Sequence, residues 1–288
     1  LNKWITLLKQ IRIHPLLWLV VGLAIITSHF NELFLLLLII FVHEIGHAVA
    51  AQFFSWRIKS IVLLPFGGVA EMDEHGNRPL KEELMVILAG PLQHVWMIAV
   101  AFLCYEWQLV TPEFFTLFVQ YNLMILLFNL LPIWPLDGGK LVFLYLSYFY
   151  AFGEAHRKAL QLSIFMLILF LIASLWILPF NINICIILAF LLFSLYYEWK
   201  QRRYIFMRFL LERYYGKHSE LRKLKPIVVQ ESEPIMKVLE KFQRGCKHSI
   251  IVETGNKEKS VLDENELLHA YFAEKNVSAQ ISDLVYVY

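Results

Sequence analysis

Residues 33–54 read LFLLLLIIFVHEIGHAVAAQFF, and the ionisable side chains in the middle of that run govern how the rest of the chain is read. A helix needs about 20 apolar residues, range about 17–25, to cross a bilayer, and this run is long enough. His43, Glu44 and His47 sit between Leu33–Ile40 on one side and Ala48–Phe54 on the other. An ionisable group at that depth costs roughly 2.5–3.5 kcal/mol on insertion scales, so it needs a partner or a function. Residues at i and i+4 share a helix face, so both imidazoles reach one point. Glu44 lies about 100° round from His43 at 3.6 residues per turn, flanking that point without occupying it. Two histidines for a metal and a glutamate to act as base towards a water is the chemistry this spacing allows. In a soluble helix the same five residues would read as a solvated charged patch.

Catalytic zinc normally takes three protein ligands and leaves a fourth position open. The candidate for the third is Asp137, in Asn129-Leu-Leu-Pro132-Ile-Trp-Pro135-Leu-Asp137-Gly138-Gly139. Apolar sequence runs from Phe114 to Leu136 before it and from Leu141 to Phe152 after it. Pro132 and Pro135 each remove a backbone donor and disfavour continued helix. Gly138 and Gly139 permit unusual backbone angles and close approach. A helix break at this point lets Asp137 face the His43–His47 helix, because irregular backbone at membrane depth is tolerated where protein buries it or it lines a wet cavity. The other reading of Asp137 is a turn residue at the end of a span.

The wider composition agrees with a membrane protein. Of 288 residues, 58% are hydrophobic and 17% charged, with a mean hydropathy of +0.56. The excess is confined to residues 1–197, whereas 198–288 read as ordinary soluble sequence. Spans are expected near 15–30, 33–54, 84–105, 114–136, 160–178 and 181–197. The first lacks an A-x-A-like cleavage site and is kept as a span. With the N-terminus cytoplasmic, Lys3, Lys9, Arg12, Arg57, Lys59, Arg78, Lys81, Lys140, Arg157 and Lys158 all fall inside, and the outer loops carry no Lys or Arg. That is the distribution expected of cytoplasmic loops. The net charge of +2 points to no partner, and Cys104, Cys185 and Cys246 have neither a disulfide framework nor a Cys-type zinc spacing. The expected architecture is an all-α polytopic domain of six spans with a zinc site within the bilayer (1–197), a basic and aromatic interfacial linker (198–222) and a small α/β cytoplasmic domain (223–288).

Several other features carry weaker signals. Ala89-Gly90-Pro91 reads as a second helix break, and His94 after it as either a site neighbour or a buried hydrogen-bonded histidine. Ser60–Val69, β-branched and Gly-rich, suggests a strand or hairpin dipping into the membrane, on which an extended substrate pairs by strand addition, or else an interfacial loop. Asn129 is a polar residue in an apolar run, suited to a substrate backbone or to a helix-to-helix hydrogen bond. With Pro135, Gly67 and Gly68 it makes up the candidate substrate contacts. In the linker, Tyr196, Tyr197 and Trp199 beside Lys200, Arg202 and Arg203 suit a headgroup region with anionic lipid.

HEIGH in one span and NLLPIWPLDGG in a later one together resemble the site-2 protease family of intramembrane metalloproteases. That family pairs H-E-x-x-H with an N-x-x-P-x-P-x-x-D-G-like motif. Asn129, Pro132, Asp137 and Gly138 match it, with Trp134 where the second proline falls and Pro135 directly after. The likeness extends over Phe66-Gly67-Gly68-Val69-Ala70 and Ala89-Gly90-Pro91; relatives often have Asn where His94 stands. The resemblance implies His43, His47 and Asp137 as zinc ligands and Glu44 as catalytic acid/base. Six spans with a soluble tail are most similar to the sporulation branch of the family. That implies a membrane-associated pro-sigma factor as substrate, with membrane-bound inhibitory or anchoring partners. The tail reads strand (227–229), helix (235–242), strand (249–252), short strand (260–262), helix (264–273). That order resembles a single CBS domain, which implies an adenosine nucleotide such as ATP and pairing into a homo-oligomer; a plain docking or dimerising module is the other reading. Rival functions are a di-iron lipid desaturase or hydroxylase, disfavoured by a single histidine pair, a protease with a downstream Glu ligand, for which no E-x-x-x-D-like helix appears in a later span, and a CBS-gated transporter or channel, which predicts indifference to zinc chelation.

Overall fold

A helix that is apolar all round belongs in a large core or a membrane, and among the described residues the computed structural model of the chain contains four helices long and apolar enough to span one. They cover Phe30–Phe53, Leu80–Glu106, Phe152–Trp176 and Ile184–Tyr215. The structure describes residues 11–13, 17, 21–22, 25–26, 30–64, 67–72, 78–177, 182–216, 224–253, 259–276 and 279–285. The first expected span lies largely outside them. Burial is inverted relative to a soluble protein. Phe165, Ile168, Ile172 and Trp176 share one outward face and are exposed, while His43, Glu44, His47, His94 and Asp137 are buried. Soluble monomers seldom expose contiguous apolar patches beyond roughly a few hundred Å². The chain is an integral membrane protein.

The elements form two compact units, residues 1–74, 81–142 and 162–195 in one and 75–80, 143–161 and 196–288 in the other. In the first, α1 (Phe30–Phe53), α2 (Leu80–Glu106) and α3 (Pro112–Asn129) follow one another. Their packing core is Leu35, Ile39, Ile40, Met97 and Ile125, with Leu117, Phe118 and Tyr121 against it. The end of α1 is closed by Ser55 at φ 58° and a Trp56 N–H bond to the Ala51 carbonyl at 2.9 Å, which is a Schellman closure. Trp56 Nε1 then donates to Glu82 Oε2 at 3.0 Å, tying that end to the start of α2. Thr111 caps α3, accepting from the Phe114 N–H at 3.3 Å, with Pro112 in the first turn, where its missing donor costs nothing.

The all-α expectation is corrected by a three-stranded sheet. β1 (Ile11–Ile13) pairs in parallel with β2 (Ile58–Leu64), and β2 pairs antiparallel with β3 (Gly67–Met72). The hairpin read over Ser60–Val69 is therefore present, with Leu64 opposite Gly67 and Leu63 opposite Gly68. The run read as one span over 114–136 is also two things. The α3 helix stops at Asn129, and Leu130–Leu136 is a folded loop leading into α4 (Asp137–Phe149). Ala89-Gly90-Pro91 does not break α2, which continues through it. A proline deletes one backbone bond without ending a membrane helix where neighbouring groups re-satisfy the freed carbonyl.

Helix α5 (Phe152–Ile177) precedes α6 (Ile182–Tyr215), which carries the basic and aromatic stretch as unbroken helix. The tail follows as β4 (Leu224–Gln230), α7 (Ile235–Leu239), β5 (Lys247–Glu253), β6 (Lys259–Asp263), α8 (Glu264–Phe272) and α9 (Ile281–Val285). The order through α8 is the one read from sequence, α9 was not read there, and α7 is shorter than expected, ending before Gly245 turns the chain at φ 71°. Strands β4 and β5 run parallel and β5 and β6 antiparallel, over a core of Val229, Ile235, Val238, Ile250, Val252 and Leu267. Arg213, in the last turn of α6, is 1% exposed. It is bidentate to Glu264 and donates to the Gln243 and Cys246 carbonyls, with the Phe209 and Phe242 rings 5.7 and 5.3 Å away.

Candidate metal centre

Two small residues set the site by letting two helices cross closely, as small residues do in membranes. A Cβ on Gly46 would lie 2.6 Å from the Ala89 carbonyl oxygen, so α1 and α2 approach backbone to backbone there. The crossing carries His43 and His47 over Gly90. A Cβ on Gly90 would lie 2.2 Å from His47 Nε2 and 2.8 Å from His43 Nε2. The imidazoles occupy the room that a side chain at 90 would take.

Asp137 arrives from a separate element, at the start of α4. The loop after α3 holds itself with Ile133 N–H to the Leu131 carbonyl (2.7 Å) and Leu136 N–H to the Ile133 carbonyl (2.9 Å). The Trp134 N–H donates to Ser163 Oγ at 3.0 Å, and the Trp134–Pro135 bond is cis. This loop folds back on the first turn of α4. A Cβ on Gly138 would lie 2.2 Å from the Leu130 carbonyl oxygen, and one on Gly139 would lie 2.6 Å from the Trp134 nitrogen. Close approach, not unusual backbone angles, is thus what the two glycines supply, since both are helical. Asp137 opens α4, where a carboxylate is favoured by the helix dipole.

Asp137 Oδ2 lies 3.1 Å from both His43 Nε2 and His47 Nε2, which are 3.1 Å from each other. Four tetrahedral ligands at zinc bond lengths of about 2.0–2.2 Å stand roughly 3.3 Å apart, so the triangle has the size of one face of a zinc site. All three residues are buried, and they are a group of the kind that holds a metal ion. His47 Nδ1 donates to the Val86 carbonyl at 2.8 Å, which leaves its Nε2 bare. Asp137 Oδ1 is taken by Lys140 Nζ at 3.3 Å, a partner that the sequence reading counted only for membrane orientation. Glu44 is 6% exposed and makes no hydrogen bond to a described residue, so its carboxylate is uncommitted. Asn129 is half-buried, and its amide likewise bonds no described residue, which removes support from the helix-to-helix alternative. His94 is fully buried, between His43 Nδ1 at 3.1 Å and Asn122 Oδ1 at 3.0 Å.

A profile of peptidase family M50 matches residues 32–110 and 104–172, the stretch that carries both clusters. Over 288 residues the chain is 49% identical to Stage IV sporulation protein FB of Bacillus subtilis (strain 168), covering 100% of each. The chain belongs to peptidase family M50. Among other M50-like relatives, Zinc metalloprotease MJ0392 of Methanocaldococcus jannaschii is 30% identical over 188 residues, 61% of this chain and 52% of that one. A solved Site-2 Protease from Methanocaldococcus jannaschii superposes with a TM-score of 0.53 at 31% identity, covering 65% of this chain and 89% of that one. The family resemblance drawn from HEIGH and NLLPIWPLDGG therefore holds, and this M50 chain is a membrane metalloprotease. Asp137→Asn keeps the side chain's size and removes its charge. If Asp137 is the third ligand, zinc affinity in the purified protein should fall on the order of a hundredfold or more, read by chelator competition. Unchanged occupancy and affinity would discard the three-ligand centre.

Proposed function

We propose that the chain is an intramembrane zinc protease in which His43, His47 and Asp137 hold the metal and Glu44 is the catalytic acid/base. The observation that carries this is the convergence of three buried ligand atoms, each 3.1 Å from the others, beside an uncommitted carboxylate. Zinc bound there supplies Lewis acidity towards the scissile carbonyl and makes water acidic near pH ~7. Glu44 takes the attacking water's proton and returns it to the leaving amine. Purified protein should cut a membrane-tethered peptide, lose the activity to a zinc chelator and regain it with added zinc. A transporter or channel would be indifferent to chelation, and that outcome would discard the protease reading.

A helical peptide hides its amides, so the substrate must be unwound before attack. Strand β3 lies beside α1 and pairs with β2 on one side; among the described residues it has no strand on the other. Gly67 and Gly68 begin that edge, which supports strand addition by an extended substrate, with Asn129 and Pro135 as further contacts. Single cysteines near Gly68 and near the scissile bond of a substrate should form a disulfide cross-link in the inactive Glu44→Gln background. Consistent failure across neighbouring pairs would remove the pairing idea.

Six spans with both ends cytoplasmic is the topology that the Lys and Arg distribution supports. It puts HEIGH about 15 Å past Leu33, at 1.5 Å per residue, in the cytoplasmic half of the bilayer. The full-length likeness to a sporulation protein supports a membrane-associated pro-sigma factor, pro-sigma-K in kind, as substrate, with membrane-bound inhibitory or anchoring partners. Regulated proteolysis during sporulation is the process that fits. The β-α-β-β-α order of the tail supports a CBS-like module that takes an adenosine nucleotide or pairs with a second copy. Absence of ATP binding at millimolar levels would leave the tail as a docking module.

A further inference from the structure

A histidine binds a metal through a ring nitrogen that carries no proton, so something must decide which nitrogen that is. For His47 the decision belongs to the main chain, through the Val86 carbonyl. For His43 it passes through two side chains, beginning at a group that can only accept. Asn122 Nδ2 donates to the Phe118 carbonyl at 2.9 Å, which turns Asn122 Oδ1 towards His94 Nδ1 at 3.0 Å. An amide oxygen accepts and never donates, so His94 carries its proton on Nδ1. The remaining nitrogen of a neutral His94, Nε2, is an acceptor, and it lies 3.1 Å from His43 Nδ1. His43 therefore donates from Nδ1 and presents a bare Nε2 to Asp137 Oδ2 and the metal position. Reversed, the same chain would place a proton on His43 Nε2 and close the site.

We infer that Asn122 and His94 are positioning residues that hold His43 in the one tautomer able to ligate the metal. The inference rests on the metal centre proposed above and adds the residues that orient one of its ligands. Both are completely buried, His94 on α2 and Asn122 on α3, so the relay draws on two helices besides α1. A side chain at 94 must donate on one side and accept on the other. Leucine can do neither, whereas glutamine can do both.

The test is zinc binding by the full chain in detergent, with stoichiometry at saturation measured separately from affinity by chelator competition. His94→Leu should still reach one zinc per chain with affinity lowered about 10–100-fold, the usual cost of losing a ligand's hydrogen-bond partner. His94→Gln should stay within about threefold of the parent. Asn122→Leu keeps every ring and removes only the directional anchor, so it should show a smaller loss of the same sign, and it serves if His94→Leu does not fold. If the leucine variants bind like the parent, or if His94→Gln loses as much as His94→Leu, the relay is overturned. A parent chain that takes up no zinc would instead overturn the metal centre, and the relay with it.

Discussion

Glu44→Gln should leave one zinc per chain and lower peptide-bond cleavage by about 10²–10⁴-fold or beyond detection, the effect of losing a positioned proton acceptor. The substitution is nearly isosteric, and the Glu44 carboxylate makes no hydrogen bond to a described residue, so no buried donor is orphaned by the change. Neither ligand helix should shift, because the α1–α2 crossing is set at Gly46 and Gly90. Metal content and cleavage are therefore expected to separate cleanly. The measurement is single-turnover cleavage of a tethered substrate by purified parent and variant at equal zinc occupancy. Parent-like cleavage by the glutamine variant would end the assignment of Glu44.

The second large effect lies far along the chain. Arg213→Leu is expected to destabilise the tail by about 3–5 kcal/mol, the cost of removing one partner of a buried ion pair. The arginine's loss would leave the Glu264 carboxylate, itself 2% exposed, without its counter-charge and deprive the Gln243 and Cys246 carbonyls of a donor. Glu264 also accepts from the His248 N–H at 2.7 Å, so strand β5 should loosen first. Hydrogen exchange in the full chain should show β4 and β5 amides losing protection while α1 and α2 keep theirs. Replacing both Arg213 and Glu264 with leucine should recover part of the loss, since paired apolar groups carry no uncompensated charge. Protection unchanged in the single variant would mean that the pair does not hold the tail together.

Much of the site was legible because charge is conspicuous in apolar sequence. HEIGH and Asp137 could be paired across 90 residues of chain by that conspicuous charge, by the prolines and glycines that break the helix around Asp137 and by the need for a third ligand, and the hairpin over Ser60–Val69 was visible in its β-branched residues. The reasons for failure elsewhere are equally physical. Leu130, Leu131, Ile133 and Leu136 are as apolar as a span, so hydropathy ran α3 through a loop whose Ile133 and Leu136 are apolar because they pack inside the protein. Pro91 looked like a stop, although a membrane helix tolerates one missing bond. Arg213 sits in a run of basic and aromatic residues that reads as an interfacial stretch, and no local signal marks this arginine as one that turns inward. The direction of His94 needed three helices in place before it could be known.

Gly90 brings the proposed metal centre no donor, no charge and no proton, yet a single added methyl would land 2.2 Å from His47 Nε2. Its contribution is vacancy. A search for inactivating alleles would recover position 90 beside the histidines and the aspartate, and anyone sorting the hits by reactive groups would have no column for it. With His43, His47 and Asp137 as the proposed ligands, the signature of the site accordingly includes a residue defined by what must never be attached to it.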